Sequence, residues 1–151
     1  DVMRSQVGVR EASGKNDGVQ VAQYLASVGL GQGYAWCAAI VHWSYRQCGS
    51  VQKPTRSFAM ASAWHPKQCR VWESPDEWTP NPVARISAPG DHFALYYTNL
   101  GRIGHTGLIE SEDDDYVVTI EGNTNGGGSR DGDGVYRRKR LKRTLHCVSR
   151  W

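Results

Sequence analysis

The hydrophobic pattern of this chain changes period once, near residue 90, and that change limits the folds open to it. Before it, apolar residues recur at helical spacing. Val21, Ala22, Tyr24, Leu25 and Val28 form one stripe, and the run Cys37-Ala38-Ala39-Ile40-Val41 opens another. After Pro89 the period falls to two, which predicts strands over 91–98, 103–111, 116–121, 134–140 and 144–150. Local signals set the boundaries. A short helix ends near Gly8, Asn16 or Asp17 is placed to cap a helix over 19–28 that stops at Gly29, and the Cys37 helix closes at Cys48-Gly49. A shorter helical pattern over 57–64 ends before Pro66; 71–89 reads as loop with at most one short strand, and the glycine-rich stretch 123–134 as an exposed loop. Helices followed by antiparallel strands predict an α+β domain, with N-terminal helices packed on a small antiparallel sheet or open barrel.

With 151 residues the chain is the size of one domain, spanning 1–151. No stretch approaches the roughly 20 apolar residues of a spanning helix, so membrane insertion is not expected, and no charged-then-apolar signal segment opens the chain. The net charge of +3 is unevenly placed, with Arg137, Arg138, Lys139, Arg140, Lys142 and Arg143 crowded together. That cluster reads as a solvated strand pair and its turn, or as a foothold on an anionic polymer such as cell wall. No helix-turn-helix, zinc-finger or RNP-like motif accompanies it, so nucleic acid is not expected as a partner. The four cysteines make no CxxC pair; one disulfide among Cys48, Cys69 and Cys147, or three isolated thiols, both fit. Six Trp and seven Tyr exceed what a core of this size needs, which suits a groove for sugars or peptides; Trp36, Trp64, Trp72 and Trp78 are candidates to line it.

Three segments carry chemistry. Cys37 follows the turn Gly33-Tyr34-Ala35-Trp36 and begins an apolar helix, where unpaired N–H groups and the helix dipole favour a thiolate. His105 lies in Gly104-His105-Thr106-Gly107, on a strand whose alternation places it on one face with Gly107 and Ile109; the flanking glycines leave room for substrate and for the opposing helix. Glu121 ends the apolar strand Tyr116-Val117-Val118-Thr119-Ile120, where a carboxylate needs a partner, and Asn123 follows two residues on. An imidazole that accepts the thiol proton, itself held by a carboxylate, is the arrangement of a cysteine hydrolase. His42 lies five residues after Cys37 and points elsewhere; His65, His92 and His146 have no partner pattern.

Pro89-Gly90-Asp91, Gly104-His105-Thr106-Gly107 and Glu121-Gly122-Asn123, each at a strand, together resemble the CHAP family of cysteine peptidases and amidases, which belongs with NlpC/P60 in the papain-like superfamily. The similarity runs from Gln6-Val7-Gly8-Val9-Arg10-Glu11 to the last strands. Glu121 favours the CHAP branch over NlpC/P60 relatives, which more often place a histidine there. The resemblance implies a papain-like fold and hydrolysis of amide bonds in bacterial peptidoglycan, as an N-acetylmuramoyl-L-alanine amidase or a peptide endopeptidase. It implies Cys37 as nucleophile, His105 as general base then acid, Glu121 as the orienting residue and Asn123 in support. Endolysins and autolysins are its usual bearers, so a monomer acting at the bacterial cell wall, secreted or released there, is expected. A wall-binding module without catalysis, or a cysteine protease or toxin with a protein target, are the alternatives.

Trp36 stands where many CHAP domains have Gln. The oxyanion then relies on the Cys37 N–H and a second donor, for which Tyr34 and Gln32 are candidates; with Trp36 and Trp64 they make up the expected substrate-binding set. Some CHAP domains carry an acidic calcium loop ahead of the cysteine. Glu11, Asn16 and Asp17 here fall short of the six or more oxygens that calcium prefers, and Asp131-Gly132-Asp133-Gly134 reads as a turn, so no metal and no cofactor are expected.

Overall fold

The computed structural model describes residues 1–50, 57–75 and 85–151. Three helices, α1 (Val2–Ser5), α2 (Val19–Ser27) and α3 (Cys37–Gln47), precede six strands: β1 (Arg70–Glu73), β2 (His92–Tyr97), β3 (Arg102–Glu112), β4 (Tyr116–Thr124), β5 (Gly134–Leu141) and β6 (Cys147–Ser149). The strands form one open antiparallel sheet in the order β1-β6-β2-β3-β4-β5. The architecture is therefore α+β with helices packed on an antiparallel sheet, as the single change of period implies. The helical pattern over 57–64 is realised only as a 3₁₀ turn, Ala61–Trp64. Trp78 lies outside the described residues.

Alternation along the strands divides the apolar residues between two large clusters and a smaller third one around Cys37. Ile120 packs with Val21, Tyr24, Leu25, Ile40 and Val41 from α2 and α3, together with Trp36 and Trp64. Ile109 and Val117 join Phe93, Leu95, Leu145 and Val148 in a second cluster. The contact between α3 and β4 is close because β4 carries glycine where the helix crosses it. A Cβ at Gly122 would lie 2.6 Å from both Ile40 Cγ2 and Trp36 Cζ3.

Several local expectations are corrected. Neither Asn16 nor Asp17 caps α2. Gly18 holds the N-cap position without a side-chain bond, and its N–H donates to Gln32 Oε1 at 2.9 Å. Asn16 instead takes the left-handed conformation (φ 56°) and Asp17 accepts from Ser13 N and Oγ. The basic run is not uniformly solvated: Arg137 and Lys139 face outward to Glu110 and Asp113, whereas Arg140 turns inward and Lys142 is buried. All four cysteines are unpaired.

Replacing Gly122 with alanine should destabilise the protein by about 1–3 kcal/mol, the usual cost of forcing a methyl group into a filled helix–sheet contact. Urea unfolding measures it. An unchanged midpoint would refute the close α3–β4 approach.

Candidate active site

Cys37 is the first residue of α3 and only 5% exposed; it packs with Ala61, Ala94, Ile103 and Cys147. No side chain of Trp36, the N-cap residue, closes the helix. The preceding turn is held from outside by Asn123 of β4. Its Oδ1 accepts the Trp36 backbone N–H at 3.0 Å, while its Nδ2 donates to Asn16 Oδ1 at 2.8 Å and to the Gly132 carbonyl at 3.0 Å. Asn123 adopts φ 56°, a conformation Asn tolerates better than most residues. It thus ties the turn before Cys37 to two loops and makes no hydrogen bond to His105.

His105 and Glu121 sit on neighbouring strands, both fully buried, with His105 Nε2 2.9 Å from Glu121 Oε2. Gly107 allows this approach, since a Cβ there would meet the Ile120 carbonyl oxygen at 2.6 Å, Phe93 Cε1 at 2.9 Å and Glu121 Cγ at 3.3 Å. A Cβ at Gly104 would meet Tyr97 and Leu100 side chains. The space beside the two glycines is therefore filled by the sheet's own side chains and by Glu121, rather than left for substrate or helix.

With Nε2 committed to a carboxylate, Nδ1 is the ring nitrogen left to act as base. It is buried and makes no close hydrogen bond, and the Cys37 thiol is the remaining polar group acting on the ring. Contacts of this kind are often loose before substrate binds. Burial opposes ionisation of the Cys37 thiol, but the His105 ring outweighs it, and the backbone N–H groups of Thr106 and Ala38 also favour the thiolate; the thiol falls below its ordinary range. Burial likewise opposes the imidazolium, yet Cys37 and Glu121 push His105 up to about 9. Glu121, disfavoured as a charge by burial, is held down at about 2 by Arg140 and then His105. The three groups together favour a thiolate–imidazolium pair.

The residues around this set were not singled out from sequence. Arg140 of β5 bonds both oxygens of Glu121, from Nε to Oε1 and from Nη2 to Oε2, each at 2.6 Å, and Thr119 Oγ1 donates to Oε1 at 2.5 Å. Strand alternation within the basic run was the available signal, because it separates Arg138 and Arg140 from Arg137 and Lys139. His65, buried and held neutral by its surroundings, bridges Ser149 Oγ and Thr106 Oγ1 at 3.0 Å each. Thr106 Oγ1 donates onward to the Phe93 carbonyl, so His65 Nε2 carries the proton it shares with Thr106. That bracing fixes the strand segment whose Thr106 N–H favours the Cys37 thiolate.

Of the expected substrate contacts, Tyr34 is 58% exposed in the turn before Cys37 and Gln32 is exposed with its oxygen engaged by Gly18. Trp36 and Trp64 have no exposed surface and cannot line a groove in this conformation. Trp36 stacks on Tyr24 and donates Nε1–H to Glu11 Oε1 at 2.9 Å; Trp64 packs against Tyr45 and His92, which also stack on each other. Among the described residues no group of three or more His, Cys, Asp or Glu side chains is placed to hold a metal ion.

At pH 7, iodoacetamide should alkylate Cys37 faster than the more exposed Cys48 and Cys69. Cys147, pushed by burial up to about 11, should be slowest. In His105→Ala the Cys37 advantage should vanish. Peptide mass mapping reads each rate, and faster labelling of Cys48 in the parent protein would contradict an activated Cys37.

The CHAP domain matches residues 29–123, a span that runs from the turn before Cys37 to Asn123. Searches of curated proteins and of solved structures gave no match. The matched span covers more than half of the chain and contains Cys37, His105 and Glu121: this chain belongs to the CHAP domain family, whose members are amidase- or peptidase-type cell-wall hydrolases.

Proposed function

We propose that the protein is a cysteine-dependent hydrolase that cleaves amide bonds of bacterial peptidoglycan, as an amidase or a peptide endopeptidase. The observation that carries this reading is the buried His105–Glu121 pair at 2.9 Å beside a thiol that begins a helix and whose ionisation His105 favours. Cys37 thiolate attacks the carbonyl carbon, and the oxyanion that forms takes a hydrogen bond from the Cys37 backbone N–H at the start of α3. The tetrahedral species collapses with loss of the C–N bond, and His105 gives its proton to the leaving amine. His105 then takes a proton from water as its oxygen attacks the thioester. Collapse expels the Cys37 thiolate, releases the carboxylic acid product and restores the thiolate–imidazolium pair. Glu121 keeps the proton on Nε2 of the neutral ring, so that Nδ1 meets the thiol. No step requires a metal ion. Asn123 supports the site by holding the turn that delivers Cys37, and exposed Tyr34 beside that turn is placed to touch the substrate. The substrate places the protein at the cell wall, reached by secretion or by release from a lysing cell.

Digestion of purified peptidoglycan, with products identified by mass spectrometry, tests the reaction and locates the scissile bond. New amine and carboxyl ends are expected from the parent protein. Cys37→Ala should lose about 10³-fold or more in rate while keeping its far-UV circular dichroism. Parental rates in Cys37→Ala, or binding to the wall without any soluble product, would overturn the reading.

The pH profile follows from the two ionisations. Activity requires a protonated His105, so it should fall as pH rises through about 9, where the ring loses its proton. On the acid side it should persist below the ordinary thiol range, since the Cys37 pKa is lowered, and fall once the thiolate is protonated. An alkaline limb near 6.5, the value of an unperturbed histidine, would contradict the ion pair.

A further inference from the structure

We propose that Arg140 is a positioning residue of this site: its guanidinium fork fixes the Glu121 carboxylate and, through it, the tautomer and orientation of His105. The proposal rests on Cys37 and His105 acting as nucleophile and base.

Glu121 has no room for another partner. Arg140 Nε and Thr119 Oγ1 donate to Oε1, while Arg140 Nη2 and His105 Nε2 sit on Oε2. The terminal torsion of a glutamate is broad and intrinsically soft. A carboxylate bound to the histidine alone could turn about that torsion and present Oε1 or Oε2 at different angles. Two parallel 2.6 Å bonds from a planar guanidinium remove the freedom, and a lysine could not supply them.

Arg140 is itself held. It lies in β5 opposite Val117, with its side chain only 12% exposed and its guanidinium carbon 5.7 Å from the centre of the Phe93 ring. That ring also lies 5.9 Å from His105, so one aromatic side chain contacts both the guanidinium and the imidazole. The charged groups acting on Glu121 are Arg140 on β5 and His105 on β3, and Glu121 in turn acts on Tyr97 of β2, which also feels Arg140, Cys37 and Arg130. Of these Arg140 is the permanent cation in direct contact.

Removing it has two effects of the same sign. A buried carboxylate left with histidine as its only cationic partner binds a proton at higher pH, and Glu121 once protonated no longer supports the imidazolium. Loss of a nearby positive charge also makes the thiolate harder to form. Both shift the acid limb of Cys37 ionisation upward. A salt bridge that only stabilised the fold would alter the melting temperature and leave that limb in place.

The test is the pH dependence of Cys37 alkylation by iodoacetamide, which needs no peptidoglycan, measured beside kcat and KM on solubilised wall fragments. Arg140→Met should raise the acid limb by about one pH unit or more. Its kcat should fall about 10- to 100-fold, with KM changed less than about threefold. Arg140→Lys keeps the charge and loses the fork, so it should fall between the two, and added guanidinium ion should restore part of the Arg140→Met rate. A folded Arg140→Met protein whose alkylation curve overlays the parent's overturns the proposal. Should Arg140→Met fail to fold, an Arg140→Lys curve that overlays the parent's overturns it equally. A parent protein in which Cys37 shows no preferential alkylation brings down the hydrolase reading, and this proposal with it.

Discussion

A carboxylate with no access to water is costly to keep ionised, and the rest of the site depends on Glu121 being kept so. Water is replaced by donors from three strands: His105 on β3, Thr119 on β4 itself and Arg140 on β5. Each is useful only because antiparallel pairing brings these strands side by side with their buried faces in register. Gly107 belongs to the same solution, since a Cβ there would press on the Ile120 carbonyl oxygen and so on the close approach of β4 that sets Glu121 beside the histidine. The bond to Glu121 in turn leaves Nδ1 as the free nitrogen of His105, the ring that favours the Cys37 thiolate.

Cys37 is positioned by a separate contact. α3 settles onto β4 at Gly122, and Asn123 takes the backbone N–H of Trp36 in the turn just ahead of the helix. Three consecutive residues therefore face three different tasks. Glu121 turns toward the histidine, Gly122 toward the helix, and Asn123, in its left-handed conformation, toward the turn and its neighbouring loops. Such close spacing explains why Glu-Gly-Asn is compact in sequence although the side chains it engages come from remote segments.

Periodicity made the architecture legible. Amphipathic stripes and alternation are backbone-scale signals, so the order of helices and strands, the start of α3 at Cys37 and the strands bearing His105 and Glu121 could all be read directly. Contacts made by a side chain across the fold could not. Asn16 and Asp17 look like helix caps because capping is a local rule, but Asn16 is claimed by Asn123 from more than a hundred residues away. The tryptophans look like groove residues by composition, yet Trp36 and Trp64 are consumed by stacking in the core. Arg140 was hidden among five other basic residues, where charge density drew attention away from the alternation that turns it inward.

The order of these parts along the chain has a consequence for synthesis. The thiol emerges from the ribosome well before the histidine, the glutamate and the arginine, which arrive in that order on β3, β4 and β5. Until β3 has docked beside α3, Cys37 lacks the His105 and Thr106 contributions that lower its pKa and keeps only that of Ala38 in its own helix. A chain that has not yet formed β3 carries the thiol without that assistance. Reactivity at Cys37 is therefore a property of the assembled sheet and not of the segment that bears the thiol.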